Sequence, residues 1–459
     1  MKVSITTLGC KSNQYDSAAI EDILKENNFK LVPRIKCGAG SAGSPIKNLG
    51  DKFKQGTADS SEKPDVCIIN TCTVTGKTDY QSRQLTRRAR AANPDAIIVV
   101  TGCYAQVSPQ EIADIEGVDY ILGNPEKERI LHYIREGKRE YPRIEINQAT
   151  KDMPLRLRAK GSAGRTRANL KVQDGCNNSC SYCIIPKARG VSRSLPISDI
   201  LQDIDGLVAN GYKEIVLTGI HLGAYGSDLD SKTNIASLIK AIDGNNYPCR
   251  FRISSLDPDE VSDELIEIMA NSKTICNHLH LPLQSGDDNI LKMMNRRCSE
   301  RLLVERIQKV ANSISGVSIG IDVIVGFPGE GEKEFFNTYS MLNDLPVAYM
   351  HIFPFSKRKG TPAAEFSNQV DAKIVKQRCE RLKVLDTAKR KTFYQGVIGK
   401  RASVLIETLR DKETGLPAGR SRNYIPFLIK NHNELKNVEI DVVADEINGD
   451  RVIGYAVDR

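Results

Sequence analysis

Short apolar runs rich in β-branched residues recur near the start of the chain, at 2–7, 66–70, 97–101 and 120–122. Between them, positions 17–26, 81–92 and 109–116 place apolar residues at helical spacing. Strands alternating with helices predict a parallel sheet covered by helices. Residues 34–64 break the alternation: they are rich in Gly, Ser and Lys, poor in large apolar side chains, and read as a mobile surface insertion. A basic stretch without periodicity, 151–167, follows and reads as a linker. Strand patterns then return at 169–173, 214–218, 251–254, 278–283, 319–325 and 349–353, with helical patterns such as 199–210, 259–271 and 300–313 in the gaps. Six such units predict an open or partial barrel, too short for the eight-unit form. A charged amphipathic helix over 372–394 leads out. The last part alternates at 404–407, 425–430, 438–443 and 452–457, separated by Gly, Asn and Asp, and reads as a small all-β barrel. The fold class is α/β with an all-β C-terminus, divided as an α/β domain (1–150), a linker (151–167), a partial barrel (168–395) and a β-barrel (396–459).

Composition changes this picture in two ways. Lys and Arg exceed Asp and Glu, 65 against 57, which suits a polyanionic partner without requiring one. The chain also has 12 cysteines. Its first residues form a strand pattern rather than a signal peptide, and no stretch is apolar enough to span a bilayer. A cytoplasmic, reducing compartment is therefore expected, where clustered cysteines point to metal or catalysis rather than disulfides. Cys37, Cys67, Cys249, Cys276, Cys298 and Cys379 lack partner spacing and read as structural.

The strongest local signal is Cys176-x3-Cys180-x2-Cys183, within DGCNNSCSYCIIP. Three thiolates on one tight loop can wrap a corner of a cubane cluster and leave one iron open for a chelating ligand. A zinc knuckle or a four-Cys ferredoxin site are the alternatives, and both want a fourth ligand close by. The loop follows the first strand of the βα series, at the end where such folds keep their chemistry. Three further cysteines share a context: Cys10, Cys72 and Cys103 each lie just past the carboxyl end of a predicted parallel strand. Those turns fall along one sheet edge, so the thiols can converge, with Gly9, Thr71 and Gly102 leaving room for a bulky cluster.

These motifs make the chain resemble a known family. TLGCKSNQYDS, INTCTV, TGCYAQ, DGCNNSCSYCIIPKARG, HLPLQSGDDNILKMMNRR, DVIVGFPGE and FSKRKGTPAA look like those of the radical S-adenosylmethionine (SAM) methylthiotransferases. The C-terminal unit is similar to a TRAM domain, a small RNA-binding barrel. The resemblance implies two [4Fe-4S] clusters, on Cys176, Cys180 and Cys183 and on Cys10, Cys72 and Cys103. It implies SAM as cofactor, bound and reductively cleaved at the first cluster, while the second holds the sulfur to be delivered. The N-terminal sheet edge would then cap the mouth of the partial barrel. Tyr182 would face the adenine of SAM, and Gly219, Ser254, Gln284 and Gly326, at strand ends, would line the same edge. His221, His278 and His280 read as structural hydrogen-bonders.

The partners implied are tRNA, an electron donor such as a flavodoxin or ferredoxin, and no membrane. TGIHLGAYG, KMMNRR and the cysteine loop most resemble the branch that acts on N6-threonylcarbamoyladenosine at tRNA position 37. The alternatives are N6-isopentenyladenosine at that position, a ribosomal-protein aspartate, or, from a different class, a non-enzymatic iron–sulfur RNA-binding protein. Arg420, Arg422, Tyr424, Phe427 and Lys430 mix cations with aromatics, as RNA contact requires. Arg83, Arg87 and Arg90 share a helical face that is either an RNA contact or simply solvated.

Overall fold

The structure is a computed structural model and describes residues 1–33, 63–161, 166–229, 232–431 and 434–457. The expected insertion at 34–64 therefore lies almost wholly outside the described residues. The chain forms two compact units, Met1–Ala159 with Ile184–Gly190, and Lys160–Cys183 with Val191–Arg459.

The first unit is built on a six-stranded parallel sheet. Its strands run in the spatial order Lys30–Leu31, Lys2–Thr7, Val66–Thr71, Ile97–Gly102, Tyr120–Leu122 and Arg143–Glu145. Val66–Thr71 and Ile97–Gly102 are buried along their whole length, as continuous apolar runs in a parallel sheet must be. The helices Lys11–Glu26 and Gly76–Ala92 begin earlier than periodicity indicates, directly after the strand-end turns. The edge strands Lys30–Leu31 and Arg143–Glu145 are too short to leave a period of two in the sequence. Part of the expected linker packs on this unit: the Ala159 amide donates to the Tyr15 hydroxyl at 3.2 Å.

The second unit holds six parallel strands in two sheets of three. Arg250–Ile253, Glu214–Thr218 and Arg167–Lys171 form one; His278–Gln284, Ser318–Val325 and Tyr349–Pro354 form the other. Bridges Phe251↔Ile275 and Ser255↔His280 join them into a half-barrel. Side chains alternate across the second sheet. Leu279, Leu281, Ile319 and Ile321 are fully buried, while His278, His280, Asp322, Tyr349 and His351 share the opposite face, where they hydrogen-bond to one another.

The C-terminal strands close into a five-stranded barrel, in the order Arg401–Arg410, Pro417–Ser421, Pro426–Ile429, Arg451–Ala456 and Val438–Asn448. Its core includes Val404, Ile406, Ile429, Val442 and Val452. Pro417–Ser421 has no alternating apolar pattern and is a strand because both neighbours pair with it.

Buried charge joins this barrel to the half-barrel. Glu214 receives Arg250 at 2.7 Å and Arg252 at 3.2 Å, and all three side chains are essentially inaccessible to solvent. The guanidiniums continue outward: Arg250 pairs with Glu439 at 2.9 Å and donates to the Arg420 carbonyl, and Arg252 donates to the Arg422 carbonyl at 3.0 Å.

The C-terminal residues expected to meet RNA lie at or near this junction. Tyr424 lies under Arg252 and Arg420, at 4.8 and 4.4 Å from ring to guanidinium carbon, and against His278. Arg422 pairs with Glu439 at 3.0 Å, and Phe427 is a core residue. Lys430 is the exposed member, held by Asp445, Glu446 and Tyr455. Arg83 is engaged by Tyr104 and Glu111, and Arg87 is exposed.

Candidate functional site

Adjacent parallel strands lie about 4.8 Å apart, so turns at their ends are neighbours. Cys72 directly follows Val66–Thr71, Cys103 directly follows Ile97–Gly102, and Cys10 stands three residues beyond Lys2–Thr7; these are three adjacent strands. Cys10 also occupies the N-cap of Lys11–Glu26. Asn13 pins the turns together, donating to the Leu8 and Thr71 carbonyls, each at 2.8 Å. Thr71 donates to the Thr101 carbonyl at 2.6 Å.

The glycines here leave space that sulfur uses. A Cβ on Gly9, whose φ is +97°, would lie 2.7 Å from the Cys72 Sγ. One on Gly102, at φ +98°, would lie 2.4 Å from the Thr71 carbonyl. Burial pushes the Cys72 thiol up to about 12, with Cys103 and Cys10 adding to the shift. A cationic metal centre would relieve that cost of a buried thiolate at Cys72. The donor set fits an iron–sulfur cluster.

The second set lies on one loop of the second unit. Cys176, Cys180 and Cys183 are partly exposed, the Asn178 amide donates to the Cys176 Sγ at 3.4 Å, and the Cys183 amide to the Cys180 carbonyl at 3.1 Å. Gln173 clasps the loop base, donating to the Gly175 carbonyl at 2.7 Å while its own carbonyl receives the His221 amide at 2.9 Å.

Distant motifs converge on the loop backbone. Ser181 donates through its amide to the Met294 carbonyl at 3.0 Å and through its hydroxyl to the Met293 carbonyl at 2.7 Å. Asn295 donates to the Ser179 carbonyl and hydroxyl at 2.9 and 2.8 Å. The Ala363 amide closes on the Ser181 carbonyl at 2.8 Å. The motif residues at 293–295 and 361–364 thus act as straps on the cysteine loop. Both motifs are visible in the sequence, but their contact with the loop is not.

Tyr182 stacks edge-to-face on Phe327, with ring centroids 6.5 Å apart, and burial raises its phenol. Gly219, Ser254, Gln284 and Gly326 all stand at or just past strand ends. Ser254 is buried, and Gln284 adopts a positive φ of 69°. Gly326 is pressed against Val375 of the long helix Ala372–Gln395, 2.3 Å from where its Cβ would be, so close helix packing accounts for that glycine.

His221 makes ion-pair as well as hydrogen-bond contacts. Its Nε2 is 2.5 Å from Glu260 and 3.7 Å from Asp257. Burial alone would lower its basicity, but Cys176 and Glu260 outweigh that and raise it to about 10. Asp257 in turn holds Arg296 of the MNRR motif at 2.8 Å. Charge therefore surrounds the loop on ordered side chains.

Comparison with known proteins decides the family. The Radical SAM superfamily model matches residues 170–342, and that of Uncharacterized protein family UPF0004 matches residues 46–123. "Threonylcarbamoyladenosine tRNA methylthiotransferase MtaB" of Bacillus subtilis is 38% identical over 440 residues, covering 94% of this chain and 91% of the relative. The chain belongs to the radical SAM tRNA methylthiotransferase family. Another member, "tRNA-2-methylthio-N(6)-dimethylallyladenosine synthase" of Fusobacterium nucleatum, is 31% identical, covering 97% of each chain. Among solved structures, the radical SAM methyltransferase TsrM from Kitasatospora setae has the same fold at TM-score 0.55 and 13% identity, covering 79% of this chain and 77% of that one.

Membership makes the enzyme a transferase that uses SAM and iron–sulfur chemistry, and it gives the straps a testable consequence. Replacing Asn295 with alanine removes two hydrogen bonds and leaves a side chain at φ 56°. The expected cost to loop order is about 2 kcal/mol. Iron bound per chain after anaerobic reconstitution should fall. Asn295→Gly, which relieves only the backbone, should restore part of it.

Proposed function

We propose that this methylthiotransferase converts N6-threonylcarbamoyladenosine at position 37 of tRNA to its 2-methylthio derivative, using two [4Fe-4S] clusters. The observation that carries the reading is the pair of three-cysteine sites, one on the parallel-sheet edge of the first unit and one on the strapped loop of the second. One site of this kind suffices to cleave SAM; a second gives the sulfur to be delivered a place of its own. Cys176, Cys180 and Cys183 hold the first cluster, and Cys10, Cys72 and Cys103 hold the second. When bound, the clusters supply the electron that cleaves SAM reductively and the sulfur that is transferred.

The target carbon, C2 of adenine, carries a strong C–H bond with no acidic proton, so acid–base catalysis does not open it. The protein contributes position and dryness. Asn295, Met293, Met294 and Ala363 fix the loop backbone. Gly9 and Asn13 fix the sheet edge. The base leaves a single-stranded anticodon loop at low cost.

Two features support the threonylcarbamoyl group over the isopentenyl group. Relatives named for threonylcarbamoyladenosine reach 38% identity, against 32% for those named for dimethylallyladenosine. The face of the half-barrel strands opposite the buried leucines is also polar. Asp322 accepts from His280 at 2.8 Å and His351 at 3.1 Å, and the His351 side chain is about half exposed. That face offers a carbamoyl or hydroxyl group hydrogen-bonding partners that a hydrocarbon substituent cannot use.

The test is a side-by-side assay with reduced flavodoxin or ferredoxin as electron donor. The substrates are tRNA carrying threonylcarbamoyladenosine, tRNA carrying isopentenyladenosine, and ribosomal protein. Nucleoside mass spectrometry should find product on the first alone. Product only on the isopentenyl tRNA or on the protein sinks the substrate assignment and leaves the reaction class standing.

A further inference from the structure

One fully buried cation touches the N-terminal cysteine site. Arg189, six residues beyond Cys183 in sequence, is only 2% exposed and belongs to the first unit. Its Nε donates to the Cys103 Sγ at 3.2 Å. Its other nitrogens are held by Asp16, at 3.0 Å, and by the Asn13 side-chain carbonyl. Asp16 also receives Lys127 at 2.7 Å, and both of those side chains are 1% exposed. Asn124 donates to the Ala188 carbonyl at 2.6 Å, fixing the segment that carries Arg189, and its amide is 3.9 Å from the Cys103 Sγ.

Burying a guanidinium and a carboxylate is expensive, and a sheet edge needs neither for stability. An arginine cannot shed its proton to escape the cost. Its Nε is aimed at sulfur, whereas an arginine kept only for its ion pair would turn its fork to the carboxylate. Protein groups around an iron–sulfur centre tune it through hydrogen bonds to sulfur and through local charge.

We propose that Arg189 is a positioning residue that sets the reduction potential of the group held by Cys10, Cys72 and Cys103, with Asp16 as its opposing charge. This rests on the two-cluster reading given above. The bond to Cys103 draws electron density from the thiolate, and the fixed positive charge stabilises the more negative, reduced state. Both effects raise the potential. Asp16 orients the guanidinium and partly offsets its charge, so the two side chains act with opposite sign. The PKARG segment thereby has a task at the other cysteine set from the one it follows in sequence.

The experiment uses the full chain with Cys176, Cys180 and Cys183 changed to alanine, so that only the N-terminal site can load. Iron is counted after anaerobic reconstitution, and the midpoint potential is read by spectroscopic redox titration. Arg189→Gln should shift the potential negative, Asp16→Asn should shift it positive, and Arg189→Lys, which keeps the charge but not the planar fork, should fall between Arg189→Gln and the parent. Opposite shifts are not what general damage to the sheet edge produces. An unchanged potential in Arg189→Gln, or shifts of the same sign in Arg189→Gln and Asp16→Asn, overturns the proposal. If Arg189→Gln fails to load, the other two variants decide: Asp16→Asn at or below the parent potential, or Arg189→Lys at or above it, overturns the proposal. A parent protein that binds no iron instead overturns the two-cluster reading, a result distinct from any of these.

Discussion

Changing Cys176, Cys180 and Cys183 to alanine is expected to abolish SAM cleavage entirely and to reduce iron from about eight to about four atoms per chain. Changing Cys10, Cys72 and Cys103 should remove the other four while leaving uncoupled SAM cleavage measurable and methylthiolation absent. The asymmetry follows from where the sulfurs sit. The loop cysteines are partly exposed and strapped by 293–295 and 363, so their site can take up a chelating cofactor on its own. Cys72 and Cys103 are buried at the sheet edge, inside a unit that does not contain that loop. Iron analysis and the appearance of 5′-deoxyadenosine check both halves. Full iron retention in the second triple variant would refute the convergence of the three turns.

The largest stability effect is expected at Glu214. Its carboxylate is the common partner of Arg250 and Arg252, all three fully buried. Glu214→Gln leaves two guanidiniums with no buried anion between them, at a cost of about 3–5 kcal/mol. For a unit of this size that lowers the melting temperature by on the order of 10 °C. Thermal denaturation followed by circular dichroism measures it. A change within about 1 kcal/mol would show that water or rearrangement replaces the anion.

The pH dependence has a definite sign. Burial alone would raise the Glu214 pKa, but Arg252, Arg250 and Arg167 outweigh it and hold the carboxyl well below the ordinary range. The pair therefore contributes its full stability above about pH 4.3, the unfolded value, and loses it as pH falls toward the depressed folded value. Wild-type stability should drop on that acid side, and Glu214→Gln should flatten this part of the curve.

Much of the fold was legible in the chain because local patterns carry it. Each of the six half-barrel strands was marked by a β-branched or apolar run, and 300–313 matches its helix residue for residue. The strand before each of Cys10, Cys72 and Cys103 was readable for the same reason. Failures fell where a residue's state depends on a neighbour distant in sequence. Pro417–Ser421 has no strand period and is held by its two partners. The contacts of Tyr424 with Arg252 and of Arg422 with Glu439 left no mark in the chain either. Nor does the chain show that Gly326 makes room for Val375, 49 residues later.

The sequence by itself determined the order of the elements, the α/β and β-barrel divisions, the two sets of three cysteines and, through its motifs, the family. Hydrophobic period and ligand spacing are local quantities, and a single chain displays them directly. Tertiary structure alone decided which charges are buried together and what they touch. Periodicity puts Glu214, Arg250 and Arg252 in strands but cannot show that they form one closed ion network, and nothing local to PKARG marks Arg189 as a donor to Cys103, 86 residues earlier. A buried charge is stable only when its partner is brought to it, and that partner is chosen by the packing of elements rather than by any pattern along the chain.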